Sequence, residues 1–159
     1  MAPDGVPPNR SGAGLKLRAE DADDLAVLSA CLQDAVVAVR DLAYLSEDRS
    51  FVLIASRFRW EHGLRRGRGQ AGFERILCAI TFDEVAAVSY RGFRRGEDDR
   101  ILSLLSIRFA PGEANGTIHL DFSGGAAIRL EVARIVCRSK DLGEPWPTPW
   151  RPRHEEEAG

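Results

Sequence analysis

The feature that most constrains this chain is a change of period after Gln33. From there to residue 138 it passes through short runs rich in Val, Ile, Leu and aromatic residues: AVVAV, LAYL, FVLIASRFRW, RILCAITF, AAVSYRGF, ILSLLSIRF, TIHLDF and AIRLEVARIVCR. Polar or glycine-bearing turns such as SEDRS separate them, and no second helical pattern of comparable length intervenes. Runs of this kind read as β-strands, and short links make successive strands antiparallel, because a parallel crossover needs about a dozen residues. The expected fold is α+β and mainly antiparallel β: a meander of about seven or eight strands curled into a roll or barrel-like sheet. A pleckstrin-homology-like roll is one example, although that roll usually ends in a helix and this chain begins with one. FVLIA is apolar at successive positions, which predicts burial on both faces, one of them under the helix.

Before the switch, Leu25, Leu28 and Leu32 lie on one helical stripe, Asp21 stands at an N-cap position and Asp24 three residues later. The pattern predicts a helix at about 21–32 whose leucines pack on the sheet. Residues 1–14 read as a flexible tail with no apolar core of a secretory signal. Residues 15–144 form one β-rich domain, and 145–159 a Pro/Trp-rich arm with an acidic end. Pro145, Pro147, Pro149 and Pro152 impose an extended path on that arm, excluding a helix or a central strand. Burial of Trp146 and Trp150 then favours packing on the same domain over docking on a neighbouring subunit.

Two segments offset by 40 residues, AITFDEVAAV at 79–88 and HLDFSGGAAI at 119–128, look like related hairpins. In the second, a two-residue Gly124-Gly125 loop would mix the two faces of the strands. A three-residue loop, Ser123-Gly124-Gly125, instead pairs Leu120 with Ile128, Ile118 with Leu130 and His119 with Arg129, with Gly125 in a left-handed conformation. The same register in the first segment would pair Ile80 with Val88.

Composition narrows function by exclusion. The 159 residues are 44% apolar and 29% charged with a net charge of −2, values of a globular chain with no bilayer span and no general affinity for polyanions. Cys31, Cys78 and Cys137 lack CxxC spacing and sit among apolar neighbours, which fits buried thiols in a reducing cytoplasm. His62, His119 and His154 have no zinc-ligand spacing, RRGRGQAG lacks the phosphate-loop pattern, and Ser123 is not in a GxSxG elbow. No catalytic, cofactor-binding or metal-binding residue is therefore expected.

Charge is unevenly placed. Residues 57–75 hold six Arg against two Glu, whereas 15–48 hold three basic and eight acidic side chains. In strand phase Phe58 and Trp60 point one way and Arg57, Arg59 and Glu61 the other. This reads either as an aromatic core face with a solvated arginine edge or as a ligand face, with Asp34 and Asp41 as partners for the arginines. The candidate partner-binding residues are Arg57, Arg59, Trp60, Arg65, Arg66, Arg68, Trp146 and Trp150. They suit a non-enzymatic protein-binding or adaptor domain. One alternative is RNA binding through the arginines of 57–75 with Arg94 and Arg95; another is a small-molecule binder or small enzyme with a pocket near Trp60, Glu61 and His62.

The ordered motifs LQDAVVAVRDLAYL, FVLIASRFRWE, FDEVAAVSYRG, LLSIRF, GGAAIRLEV and DLGEPW resemble the alphaproteobacterial domain-of-unknown-function family 2948, over roughly residues 15–154. The resemblance implies a small cytoplasmic bacterial protein and carries over no site residue.

Overall fold

A computed structural model of the chain describes residues 14–59 and 74–148. Trp60, Glu61, His62, Arg65, Arg66, Arg68, Trp150 and His154 lie outside the described residues. Ten strands and one helix succeed one another as β1 (Lys16–Ala19), α1 (Ala22–Cys31), β2 (Val36–Ala38), β3 (Leu42–Leu45), β4 (Ser50–Phe58), β5 (Glu74–Phe82), β6 (Val85–Arg91), β7 (Ile101–Pro111), β8 (Gly116–Phe122), β9 (Ala127–Val132) and β10 (Cys137–Pro147). The class is the expected one, α+β with an antiparallel sheet.

The helix forms where its stripe and cap predict. The Asp21 carboxylate accepts the backbone N–H of Asp24 at 2.8 Å, satisfying a donor that has no partner inside the helix. Leu25, Leu28 and Leu32 are each 1% exposed. Burying each stabilises the fold by about 1.5–3 kcal/mol, which a ten-residue helix needs because so short a segment does not persist alone. The helix packs on β7 and β1. It also donates a partner to β7: the Ile107 N–H bonds Ser29 Oγ at 2.9 Å, just past the irregularity where β7 shifts register against β8.

The strand order β1-β10-β5-β4-β2-β7-β8-β9-β6 is not a meander: β2 lies between β4 and β7 with β3 on β4 off this path, and three further differences bear on the sequence reading. First, residues 16–19, expected to belong to no strand, pair with β10. Second, AIRLEVARIVCR is two strands, β9 and β10, separated by a bend at 133–136. Third, β5 and β6 do not form a hairpin. Ile80 pairs with Leu53 and Ser139, whereas Val88 pairs with Leu130. At Asp83-Glu84 the chain crosses from one half of the sheet to the other, with Glu84 at φ 62°. The likeness of 79–88 to 119–128 therefore reflects a shared alternation of apolar residues and not a shared hairpin.

The sheet is open, with β1 and β6 at its ends, so the barrel-like expectation is corrected. Inward side chains of both halves meet in one core. β4 and β5 supply Phe51, Leu53, Ala55, Cys78, Ile80 and Phe82, and β8 and β9 supply Ile118, Leu120, Phe122, Ile128, Leu130 and Val132. β4 alternates buried with half-buried positions, so FVLIA is buried on one face only.

The β8–β9 hairpin has the expected register: Leu120 faces Ile128, Ile118 faces Leu130 and His119 faces Arg129. Gly124 and Gly125 take φ 79° and 87°, the left-handed region that a Cβ disfavours. The C-terminal arm is extended as Pro145 and Pro147 require, but it continues β10: Trp146 pairs with Arg75 and Pro147 with Glu74. Proline is tolerated there because β1 covers β10 only as far as Lys140, which among the described residues leaves one side of the strand without a ladder to interrupt.

Candidate binding site

Three of the eight residues singled out from sequence are described, and they do not form one surface. Arg57 stands on the core face of β4 in phase with Phe51, Leu53 and Ala55, and is 1% exposed. Its Nε and Nη2 donate to Oδ1 and Oδ2 of Asp141, each at 2.8 Å, a two-pronged pair with both side chains 2% exposed. The Asp141 carboxylate also accepts the Leu15 N–H at 2.7 Å, which ties the start of the domain to β10. Arg59 is 7% exposed and bonds Glu74 at 2.5 Å. The solvated arginine edge is thus corrected: a guanidinium can lie inside a sheet when a carboxylate takes up its charge and its donors.

Phe58 is buried on the opposite face, where the Arg75 guanidinium lies 5.8 Å from its ring centre. Burial pulls Arg75 below its ordinary pKa, and the Asp34 carboxylate opposes that shift. Asp34 is buried and Asp41 exposed. Trp146 is 39% exposed. Arg95 packs over Tyr90 at 5.4 Å, and Arg94 donates its backbone N–H to Glu97; neither is drawn toward Arg57.

The register defines a face that sequence reading missed. On the outer side of β3, β4 and β5 stand Ala43, Leu45, Val52, Ile54, Leu77 and Ala79, with Leu142 of β10 opposite Leu77. Leu45 is 45% and Leu77 42% exposed, and the others are half-buried. An outward sheet face is ordinarily polar. Next to this patch β1 and β10 place like charges opposite one another, Lys16 across from Lys140 and Arg18 across from Arg138. Lys16 and Lys140 are the only lysines in the chain. Directly opposed cations destabilise a strand pair. Arg18 and Arg138 are partly offset by Glu20 and by Asp83, the latter at 2.9 Å. Burial pushes the Asp83 carboxyl up, but hydrogen bonds from Ser50 and Arg138 outweigh it, and the group sits below its ordinary range.

The outer face of β6, β9, β8 and β7 is built from other chemistry. One row across the four strands reads Ser89, Arg129, His119, Arg108, and the next reads Arg91, Ala127, Asp121, Ser106. A cavity of about 420 Å³ lies over these rows. A second of about 430 Å³, toward Gly112 and Asn115, shares Thr117 and Arg129 with it. Asp121 Oδ2 accepts from Arg108 Nε at 2.9 Å and from Ser106 Oγ at 3.3 Å. His119 Nε2 lies 2.9 Å from Thr117 Oγ1. Its pKa is lowered by burial and by Arg108, Arg129 and Arg91, against a smaller raising effect of Asp121.

Among the described residues no cluster of three or more His, Cys, Asp or Glu side chains could hold a metal ion, and no helix is long and apolar enough to cross a membrane. No curated protein and no solved structure matches the chain. The profile of one family, described as protein of unknown function (DUF2948), matches residues 15–154, and the chain belongs to that family.

Proposed function

We propose that this protein is a non-enzymatic binding module that docks a partner protein on the outer face of β3, β4, β5, β10 and β1. The carrying observation is the apolar patch of Val52, Ile54, Leu77, Ala79, Leu45 and Ala43 bordered by four cations, Lys16, Arg18, Arg138 and Lys140. A sheet with one face in a core and apolar residues on the other gains stability when a second layer covers it. The chemistry that fits is an amphipathic segment whose apolar side chains lie on the patch and whose carboxylates reach the cations. The RNA alternative loses Arg57 and Arg59, whose guanidinium groups are engaged inside the fold. The reading goes with a bacterial, cytoplasmic protein. In such a reducing interior the buried Cys78 and Cys137 would stay thiols, and burial above all pushes both up to about 12.

The test is affinity capture from the native host with wild type, Ile54→Lys/Leu77→Lys and Arg129→Glu, followed by cross-linking of the captured complex. A partner that Ile54→Lys/Leu77→Lys loses and Arg129→Glu keeps, with cross-links to Lys16 and Lys140, supports the proposal. No retained partner, or one insensitive to the double variant, overturns it. So does a dimer in sedimentation that Leu77→Lys dissolves, flotation of the pure protein on anionic phosphatidylserine vesicles, or RNA as the captured species.

A further inference from the structure

The outer face of β6, β9, β8 and β7 has a composition that docking on the opposite half does not use. We infer that the cavity over His119, Arg129 and Arg91 is a binding site for a small phosphorylated ligand, the phosphate monoester seated among these three side chains. The volume of about 420 Å³ lies in the range of small-molecule sites.

Short side chains, Ser89, Thr117 and Ala127, line it beside the cationic groups and leave room between them. Four basic side chains surround it, Arg91 from β6, Arg129 from β9, His119 from β8 and Arg108 from β7. One carboxylate, Asp121, is present, and Arg108 and Ser106 already engage it. That accounting leaves Arg91, Arg129 and His119 to meet an anion. Two guanidinium groups offer forked donors matched to phosphate oxygens.

The histidine can complete the set without being charged. Thr117 Oγ1 lies 2.9 Å from Nε2, and in the neutral tautomer whose Nε2 accepts from that hydroxyl, Nδ1 carries the proton that a third oxygen would accept. Burial above all, and then the neighbouring arginines, favour a neutral imidazole and lower the His119 pKa, against the raising effect of Asp121. An anion that screens those arginines must raise it. Those titrating and charged neighbours are Arg91, Arg108, Asp121 and Arg129, contributed by all four strands of the face.

The experiment follows the His119 ring signals by NMR in the full chain, assigned with His119→Gln, during titration with inorganic phosphate, glycerol phosphate and acetate. The expected result is saturable perturbation by glycerol phosphate with an upward shift of the His119 pKa. Arg91→Gln and Arg129→Gln should each weaken binding about ten-fold or more, while Arg40→Gln at a remote exposed pair leaves it unchanged. Tighter binding of glycerol phosphate than of inorganic phosphate supports a monoester ligand; equal affinity identifies the free ion as the ligand and overturns that assignment. Binding of acetate as tight as either, no saturable response, or a response that survives both arginine variants overturns the site itself. Circular dichroism melts of each variant separate loss of binding from loss of fold.

Discussion

The two halves of the sheet place charge in opposite ways. In β1, β10, β5 and β4 a charged pair, Arg57 with Asp141, lies inside, and much of the outside is apolar. In β6, β9 and β8 the inside is Ile118, Leu120, Phe122, Ile128, Leu130 and Val132, and the charges stand outside. Strand alternation is equally clear in both, so polarity alone does not say which face is in. Bulk hydrophobicity decides that in both halves, and in the first a partner of opposite charge also lets Arg57 stand on the inward face. The lesson for function is that the half with its charge buried retains apolar surface to offer a partner, whereas the other can offer only a charged one.

Breaking the buried pair should have the largest effect. Arg57→Ala leaves Asp141 charged and without its partner, and urea denaturation should show a loss of about 3–5 kcal/mol. Replacing both, Arg57→Met with Asp141→Leu, should recover most of it. A neutral single variant would mean that the first half does not depend on its internal charge. In the second half an intermediate loss is expected at the hairpin: Gly125→Val forces a β-branched residue to φ 87° and should cost about 1–2 kcal/mol in the same assay. The smallest effect belongs to the outside pair. Arg108 is 57% exposed and Asp121 32%, so Asp121→Asn should change stability by less than about 1 kcal/mol, and less again in high salt. An effect there as large as that of Arg57→Ala would erase the contrast between the halves.

Much of this was legible in local pattern. The leucine stripe and Asp21 cap specify α1, and parity in FSGGAAIRLEV specifies the three-residue loop and sets His119 against Arg129. The opposition of His119 and Arg129 that centres the candidate phosphate site was therefore readable, although Arg91 and Arg108, brought in from β6 and β7, were not. SRFRW shows where local pattern stops. Its alternation is correct, but Arg57 points inward onto Asp141, and that carboxylate is 84 residues away, so nothing near Arg57 announces it. The apolar run FVLIA similarly announces two hydrophobic faces without saying that only one would be covered.

What the sequence determined by itself is whatever depends on neighbours within a few residues: the helix and its cap, most of the strands, their alternation and one hairpin register. Tertiary structure alone decided the order of the strands, the crossing at Asp83-Glu84, the opposition of Lys16 to Lys140 and the inward turn of Arg57. The reason is physical. Local preferences act through backbone sterics and period, which any short window contains. Pairing between distant strands is selected by the free energy of the whole core, in which a buried carboxylate or an open sheet face gains meaning only once every other strand is in place.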